Sequence, residues 1–245
     1  MWNGDELQLD EYLAFIGFDG DRSPTLETLR RLQRGHVLNI KWENLDAVLH
    51  KNVALDIPAV QAKLLRSPRG GYCYEHVALF GAVLQRLGFD FFGIQGRVQM
   101  GATTIRPATH GMLVVRLAAE QWLCDVGFGT SPLAPIRLVD EAVVADESWT
   151  YQLRRGEVTP GADGWTFSEA AGDGSEPGWL SRIPSCWSRN TRSTTEPRAI
   201  SLPQALIPLS AQGLSYSRSA RTMHTSWITG NSTKSSPGWG ERPGS

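Results

Sequence analysis

The sequence predicts an α+β protein in which helices come first and strands follow. Up to residue 88, apolar residues recur three and four apart behind residues that cap helices. From Phe89 the period shortens, and aromatic and β-branched residues gather between glycines. Beyond Asp173 both periods vanish, aspartate disappears and serine becomes frequent. The chain accordingly divides into a helical domain at 1–88, a strand-rich domain at 89–182 and a last segment at 183–245. That segment offers no assignable core and reads as poorly ordered.

The helices have readable starts and one readable stop. Ser23 followed by Pro24 marks an N-cap with proline at the first helical position, and Leu26, Leu29 and Leu32 then share one face. Asp56 caps a second segment with Val60 and Leu64 turned inward. A third starts near Cys73 and carries the stripe Val77, Phe80, Leu84 and Leu87, with Gly88 placed for a left-handed C-terminal cap. Further on, residues 110–117 and 121–126 flank Ala118-Ala119 and read as a hairpin. Pro132, Pro135 and residues 139–144 extend strands or loops, whereas 156–178 is rich enough in Gly, Asp and Glu to read as a long surface loop.

Bulk charge excludes two function classes. With 24 Lys+Arg against 25 Asp+Glu, a net charge of −1 gives nucleic acid or a membrane surface nothing to grip. The N-terminal residues carry neither a basic nor an apolar leader region, and no apolar run approaches the roughly 18 residues of a spanning helix. Three cysteines, Cys73, Cys124 and Cys186, form no disulfide framework and no paired metal-binding spacing, which suits a reducing, cytoplasmic setting without a metal.

The richest chemistry lies in Arg69-Gly-Gly-Tyr-Cys-Tyr-Glu75, where two glycines lead into a helix and leave Cys73 in its first turn. Unpaired N–H groups and the positive end of the helix dipole favour a thiolate there, although a free cysteine also serves as a small buried apolar residue. A nucleophilic thiolate needs an imidazole, and the imidazole needs a partner that fixes its tautomer. Of five histidines, His36 and His50 stand in polar helix-end contexts, His76 follows the cysteine in its helix and His224 lies in the last segment. His110 opens a strand, and the facing strand holds Asp125 inside an apolar run, a costly place for an unpaired carboxylate. With a two-residue turn, facing positions sum to an odd number, so His110 and Asp125 share a face and Cys124 points away. Asp125 then lies opposite Met112 and diagonal to His110, a backbone separation of roughly 7–8 Å that side chains bridge. Cys73, His110 and Asp125 thus form a Cys-His-Asp triad, an acyl-transfer set used alike by proteases, transglutaminases and acetyltransferases.

These residues carry a family resemblance. Arg69-Gly-Gly-Tyr-Cys-Tyr-Glu75, Thr109-His110 ahead of an apolar strand, and Asp125-Val-Gly-Phe-Gly129 resemble the three signature blocks of the arylamine N-acetyltransferases, in order and at suitable spacing. Trp42-Glu-Asn-Leu45 is similar to that family's Phe-Glu-Asn-Leu segment, so the likeness spans residues 6–140. It implies a helical domain, a β-barrel-like domain and an α/β lid, with a catalytic core similar to papain-type thiol enzymes. It also implies ping-pong transfer: Cys73 takes acetyl from acetyl-CoA, and an arylamine, hydrazine or hydroxylamine nitrogen then attacks the thioester. In that likeness Val98, Thr109, Gly127, Phe128 and Gly129 lie beside the acetyl group and pantetheine arm. Trp42 and Phe128 face the aromatic acceptor, with Val98 as a further wall.

Three departures stand out. Phe15 replaces the family's arginine in the first helix, which removes an expected charge partner for Glu43, and Val77 replaces an asparagine. The third is the end of the chain, where no lid-like pattern occurs. One permitted set of codons for residues 183–192, read one base earlier, spells a segment similar to the family's strand ending in Glu-Pro-Gln. A frameshift beginning near Arg182 accounts for that, and predicts a weakly active or inactive remnant that at most binds CoA or arylamine.

Overall fold

The computed structural model describes residues 2–171, apart from 101, 103 and 148, and residues 180–185 by their backbone. Its helices are α1 (Leu9–Phe15), α2 (Leu26–Asn39), α3 (Leu45–Val48), α4 (Ile57–Arg66) and α5 (Cys73–Arg86), behind a short 3-10 turn at Gly4–Glu6. The α2 cap falls on Thr25 instead of Ser23. The Asp21 carboxylate takes both the N–H and the hydroxyl of Ser23, and Thr25 is left to accept the Thr28 N–H at 3.2 Å. Asp56 caps α4 as expected, accepting from the Ala59 N–H at 3.0 Å. At the end of α5, Gly88 has φ 76°, the Phe89 N–H reaches the Leu84 carbonyl and the Gly88 N–H reaches Gln85. Those are the two bonds of a Schellman cap.

Among the described residues eight antiparallel strands follow: β1 (Asp90–Arg97), β2 (Ala108–Leu117), β3 (Glu120–Cys124), β4 (Ile136–Arg137), β5 (Val143–Asp146), β6 (Trp149–Thr159), β7 (Ala162–Ala171) and β8 (Leu180–Ser185). They form two open four-stranded sheets, ordered β1-β2-β3-β4 and β5-β6-β7-β8, and not a closed barrel. The surface loop expected at 156–178 is instead, through residue 171, the hairpin of β6 and β7. Its turn is Pro160-Gly161 with Gly161 at φ 76°, and Leu153, Trp165 and Phe167 supply an alternation that the surrounding Gly, Asp and Glu disguise. β8 runs across positions 182–183, where the sequence marks the last segment. The expectations for residues beyond 185, including Cys186 and His224, lie outside the described residues.

β2 is the layer on which the molecule is built. Leu113 and Val115 join the core formed with α1, α2, α4 and α5, while Met112 and Val114 join Tyr151, Leu153 and Phe167 of the second sheet. A strand covered on both faces must be apolar at consecutive positions, as Met112-Leu-Val-Val115 is. Among the described residues no helix is long and apolar enough to cross a membrane. Leu113→Ala, at the helix-facing side of this strand, is expected to cost about 2–5 kcal/mol in urea unfolding. Leu49→Ala, at a 58% exposed position, is expected to stay within about 0.5 kcal/mol of the parent.

Candidate active site

The hairpin register decides which side chains meet. Leu117 faces Glu120 and Leu113 faces Cys124, so the ladder continues with Met112 opposite Asp125. His110 and Asp125 fall on one face, and the His110 Nε2 lies 3.0 Å from both Asp125 carboxylate oxygens. Both groups are buried, at 2% and 0% exposure. Burial alone lowers the imidazole pKa, but the charge and hydrogen bond of Asp125 and the adjoining Cys73 sulfur outweigh it, and the His110 pKa is pushed up to about 10. Cys124 points into the helical core, where burial pushes its thiol up and leaves it inert.

Cys73 starts α5, and the local sequence explains why the helix starts there. The Glu75 carboxylate reaches back to the Tyr72 N–H at 3.0 Å, satisfying one of the orphan donors of the first turn. Gly71 forms a parallel bridge with Trp42, and a Cβ on Gly70 collides with the Lys41 carbonyl, so only glycines let the loop pass this close. The Cys73 Sγ lies 3.5 Å from the Thr109 carbonyl oxygen, directly before His110. With Nε2 given to Asp125, Nδ1 is the imidazole nitrogen available to that sulfur. The structure therefore brings together Cys73, Thr109, His110 and Asp125.

The segment after Asp125 is clamped from three sides. The Trp42 indole N–H donates to the Gly127 carbonyl at 2.7 Å, the Gln33 amide of α2 donates to the Pro132 carbonyl at 2.8 Å, and the Tyr151 hydroxyl of the second sheet donates to the Thr130 carbonyl at 2.9 Å. A Cβ on Gly127 would sit 2.7 Å from the Cys73 Cα, so this glycine permits close approach to the Cys73 backbone. Phe128 stands edge-on to the His110 ring at 5.1 Å and tilted against Trp42 at 6.2 Å, and is half-buried. Val98 and Gly129 are half-buried, and nothing in the described geometry ties either to a ligand.

A chain of charges backs the site. The Arg69 Nε donates to Glu43 at 2.6 Å, Arg69 also pairs with Asp46, and Lys63 joins Asp46 to Glu75 at 2.8 Å on each side. Glu43 is thus paired although Phe15, which is 39% exposed, stands in place of the expected arginine. Asp46 pays a desolvation penalty that Lys63 and Arg69 outweigh, which lowers its pKa to about 2, while burial holds Glu75 above the usual carboxylate range. Sequence reasoning missed this chain, although an acid at the third helical position was a signal for Glu75. His36 lies in the last turn of α2, the helix-end setting expected for it, but it is fully buried there and bonded to Tyr12 and His76. His50 is an exposed turn residue at φ 53°. No cluster of three or more potential metal ligands occurs among the described residues.

With this geometry in place, similarity to known proteins becomes informative. The N-acetyltransferase family profile matches residues 25–181. The arylamine N-acetyltransferase of Escherichia coli (strain K12) is 40% identical over 147 residues, 59% of this chain and 52% of its own. The solved arylamine N-acetyltransferase from Mycobacterium abscessus superposes with a TM-score of 0.72 at 98% identity, over 74% of this chain and 64% of that one. A Mycobacterium marinum arylamine N-acetyltransferase solved in complex with CoA gives a TM-score of 0.64 at 34% identity, over 76% of this chain and 67% of that one. The chain spans about half the length of the curated relatives it matches.

Two outcomes test the site as built. Gly127→Ala is expected to cost about 1–3 kcal/mol and to slow Cys73 alkylation, because the new methyl displaces the Cys73 backbone. The folded His110 binds its proton up to about pH 10 and the unfolded one only to about 6.5, so its stabilising contribution is complete below 6.5 and is lost on rising to 10. Melting temperature is therefore expected to fall between pH 7 and 10 more steeply in the parent than in His110→Gln.

Proposed function

The chain belongs to the arylamine N-acetyltransferase family, and on that premise we propose that it acetylates arylamines, arylhydrazines and hydroxylamines from acetyl-CoA through an acetyl-Cys73 thioester. The observation that carries this reading is the buried His110 held by both oxygens of Asp125 with the Cys73 sulfur beside it. Asp125 orients the ring, and His110 holds the proton of Cys73 so that the sulfur stands as thiolate.

The thiolate attacks the acetyl carbonyl carbon of acetyl-CoA, forming a C–S bond and a tetrahedral oxyanion. The N–H groups of Cys73 and Tyr74, in the first turn of α5 where no intrahelical carbonyl reaches them, are the donors for that oxyanion. Collapse breaks the C–S bond to CoA, and the His110 imidazolium gives its proton to the departing CoA sulfur. The amine nitrogen then attacks acetyl-Cys73, neutral His110 takes its proton, and the amide leaves with Cys73 again a thiolate.

Phe128 and the ring face of Trp42 form the aromatic wall for the acceptor, since the Trp42 N–H is already committed to Gly127. Val98, Thr109, Gly127, Phe128 and Gly129 border the acetyl group and pantetheine arm in this reading, with no metal in the chemistry. Cysteine use supports a cytoplasmic setting for the reaction. A second reading rests on the family match ending at residue 181 of a 245-residue chain. In it residues 183–245 are out of frame, and the chain is a weakly active or inactive remnant that at most binds CoA or arylamine, which the coding nucleotides decide.

Incubation with acetyl-CoA alone is expected to add one acetyl mass to the Cys73 peptide, and Cys73→Ala to abolish it. An unlabelled Cys73 in the parent overturns the enzymatic reading. Asp125→Asn, which leaves the ring free to take the wrong tautomer, is expected to lower the acylation rate on the order of a thousandfold or more.

A further inference from the structure

Three buried polar side chains outside the triad form a line that ends beneath the nucleophile. The Tyr12 hydroxyl lies 2.9 Å from the His36 Nδ1, and the His36 Nε2 lies 2.9 Å from the His76 Nδ1. The His76 Nε2 lies 3.1 Å from the carbonyl oxygens of both Lys41 and Gly71. Carbonyls only accept, so the single N–H of a neutral His76 must sit on Nε2, and its Nδ1 must accept. His36 therefore donates from Nε2 and accepts at Nδ1, where only the Tyr12 O–H can donate. One pair of carbonyls fixes both tautomers and the direction of every bond.

We propose that Tyr12, His36 and His76 are positioning residues whose one-way hydrogen-bond chain holds the Lys41 and Gly71 carbonyls and thereby sets the Cys73 sulfur against His110. The carbonyls it grips belong to the two segments that bracket the nucleophile. The Gly71 N–H donates to the Lys41 carbonyl and the Glu43 N–H to the Gly71 carbonyl, so the two segments are tied to each other. Gly71 leads through Tyr72 into Cys73, and Trp42 holds Gly127, which packs on the Cys73 backbone. Fixing the two carbonyls therefore fixes both sides of the sulfur. All three side chains are buried, and burial lowers the pKa of His36 well below its usual value and that of His76 to about 4, in keeping with two neutral rings. Phe80 closes the chain from the side, edge-on to His36 at 5.2 Å.

The role rests on Cys73 being the nucleophile, and the experiment separates the two claims. Cys73 alkylation by iodoacetamide at pH 7 is followed by peptide mass in the full chain and in variants checked for folding by circular dichroism. Nitrogen-15 spectra of the histidines are recorded alongside. Tyr12→Phe and His76→Leu are expected to slow alkylation about two- to tenfold, the effect of losing one net hydrogen bond. His76→Gln keeps an acceptor and an N–H donor in the same places, and is expected to recover most of the rate. In the parent, His36 and His76 both carry the proton on Nε2, and in His76→Leu the His36 proton moves to Nδ1 to donate to Tyr12.

Parent spectra with a proton on Nδ1 of either ring overturn the chain. So do folded Tyr12→Phe and His76→Leu proteins that react at the parent's rate. If His76→Leu does not fold, Tyr12→Phe and His76→Gln decide. A parent Cys73 that reacts no faster than an ordinary thiol overturns the nucleophile instead, and the spectra still decide the chain.

Discussion

A buried imidazole shared between the two oxygens of one buried carboxylate is the constraint on which the rest of the structure depends. Neither group is tolerable alone in that place, since an isolated buried charge costs several kcal/mol. Together they demand a fixed hairpin register, because a one-residue slip in pairing β2 with β3 would turn the carboxylate to the opposite face. The register is held by burial on both faces of β2, helices against Leu113 and Val115 and the second sheet against Met112 and Val114. The layered fold is thus the means by which an ion pair is kept in one arrangement.

Cys73 is held by different forces. It stands at a helix start that Glu75 caps, and Glu75 in turn is neutralised by Lys63 within the run of charges from Glu43 through Arg69 and Asp46. Glycines at 70 and 127 let the loop and the segment after Asp125 press against the backbone of Lys41 and of Cys73, and Gly71 makes room for the side chains of Leu64 and Glu75. Rigid support of this kind fits a group that must meet an imidazole within hydrogen-bond reach.

How much of this was legible depends on whether the signal was local. The Asp56 cap, the Gly88 stop and the odd-sum hairpin pairing are decided within a few residues, and each was readable. The meeting of His110 with Asp125 was readable because parity carries over distance along paired strands. The second sheet was misread where glycine and acids masked the alternation of Leu153, Trp165 and Phe167. The burial of His36 was not legible, because a histidine near a helix end gives no sign of distant partners. The Tyr12–His36 and His36–His76 bonds join residues 24 and 40 positions apart, and the Arg69–Glu43 pair joins residues 26 apart. No local period announces such pairs.

The central claim is that His110 is an imidazolium at working pH, held so by Asp125 and by the sulfur of Cys73. A nitrogen-15 titration of that ring in the full chain tests it most directly. The account predicts both ring nitrogens protonated through pH 8, with the proton lost only as the pH nears 10. A ring already neutral at pH 7 would contradict it.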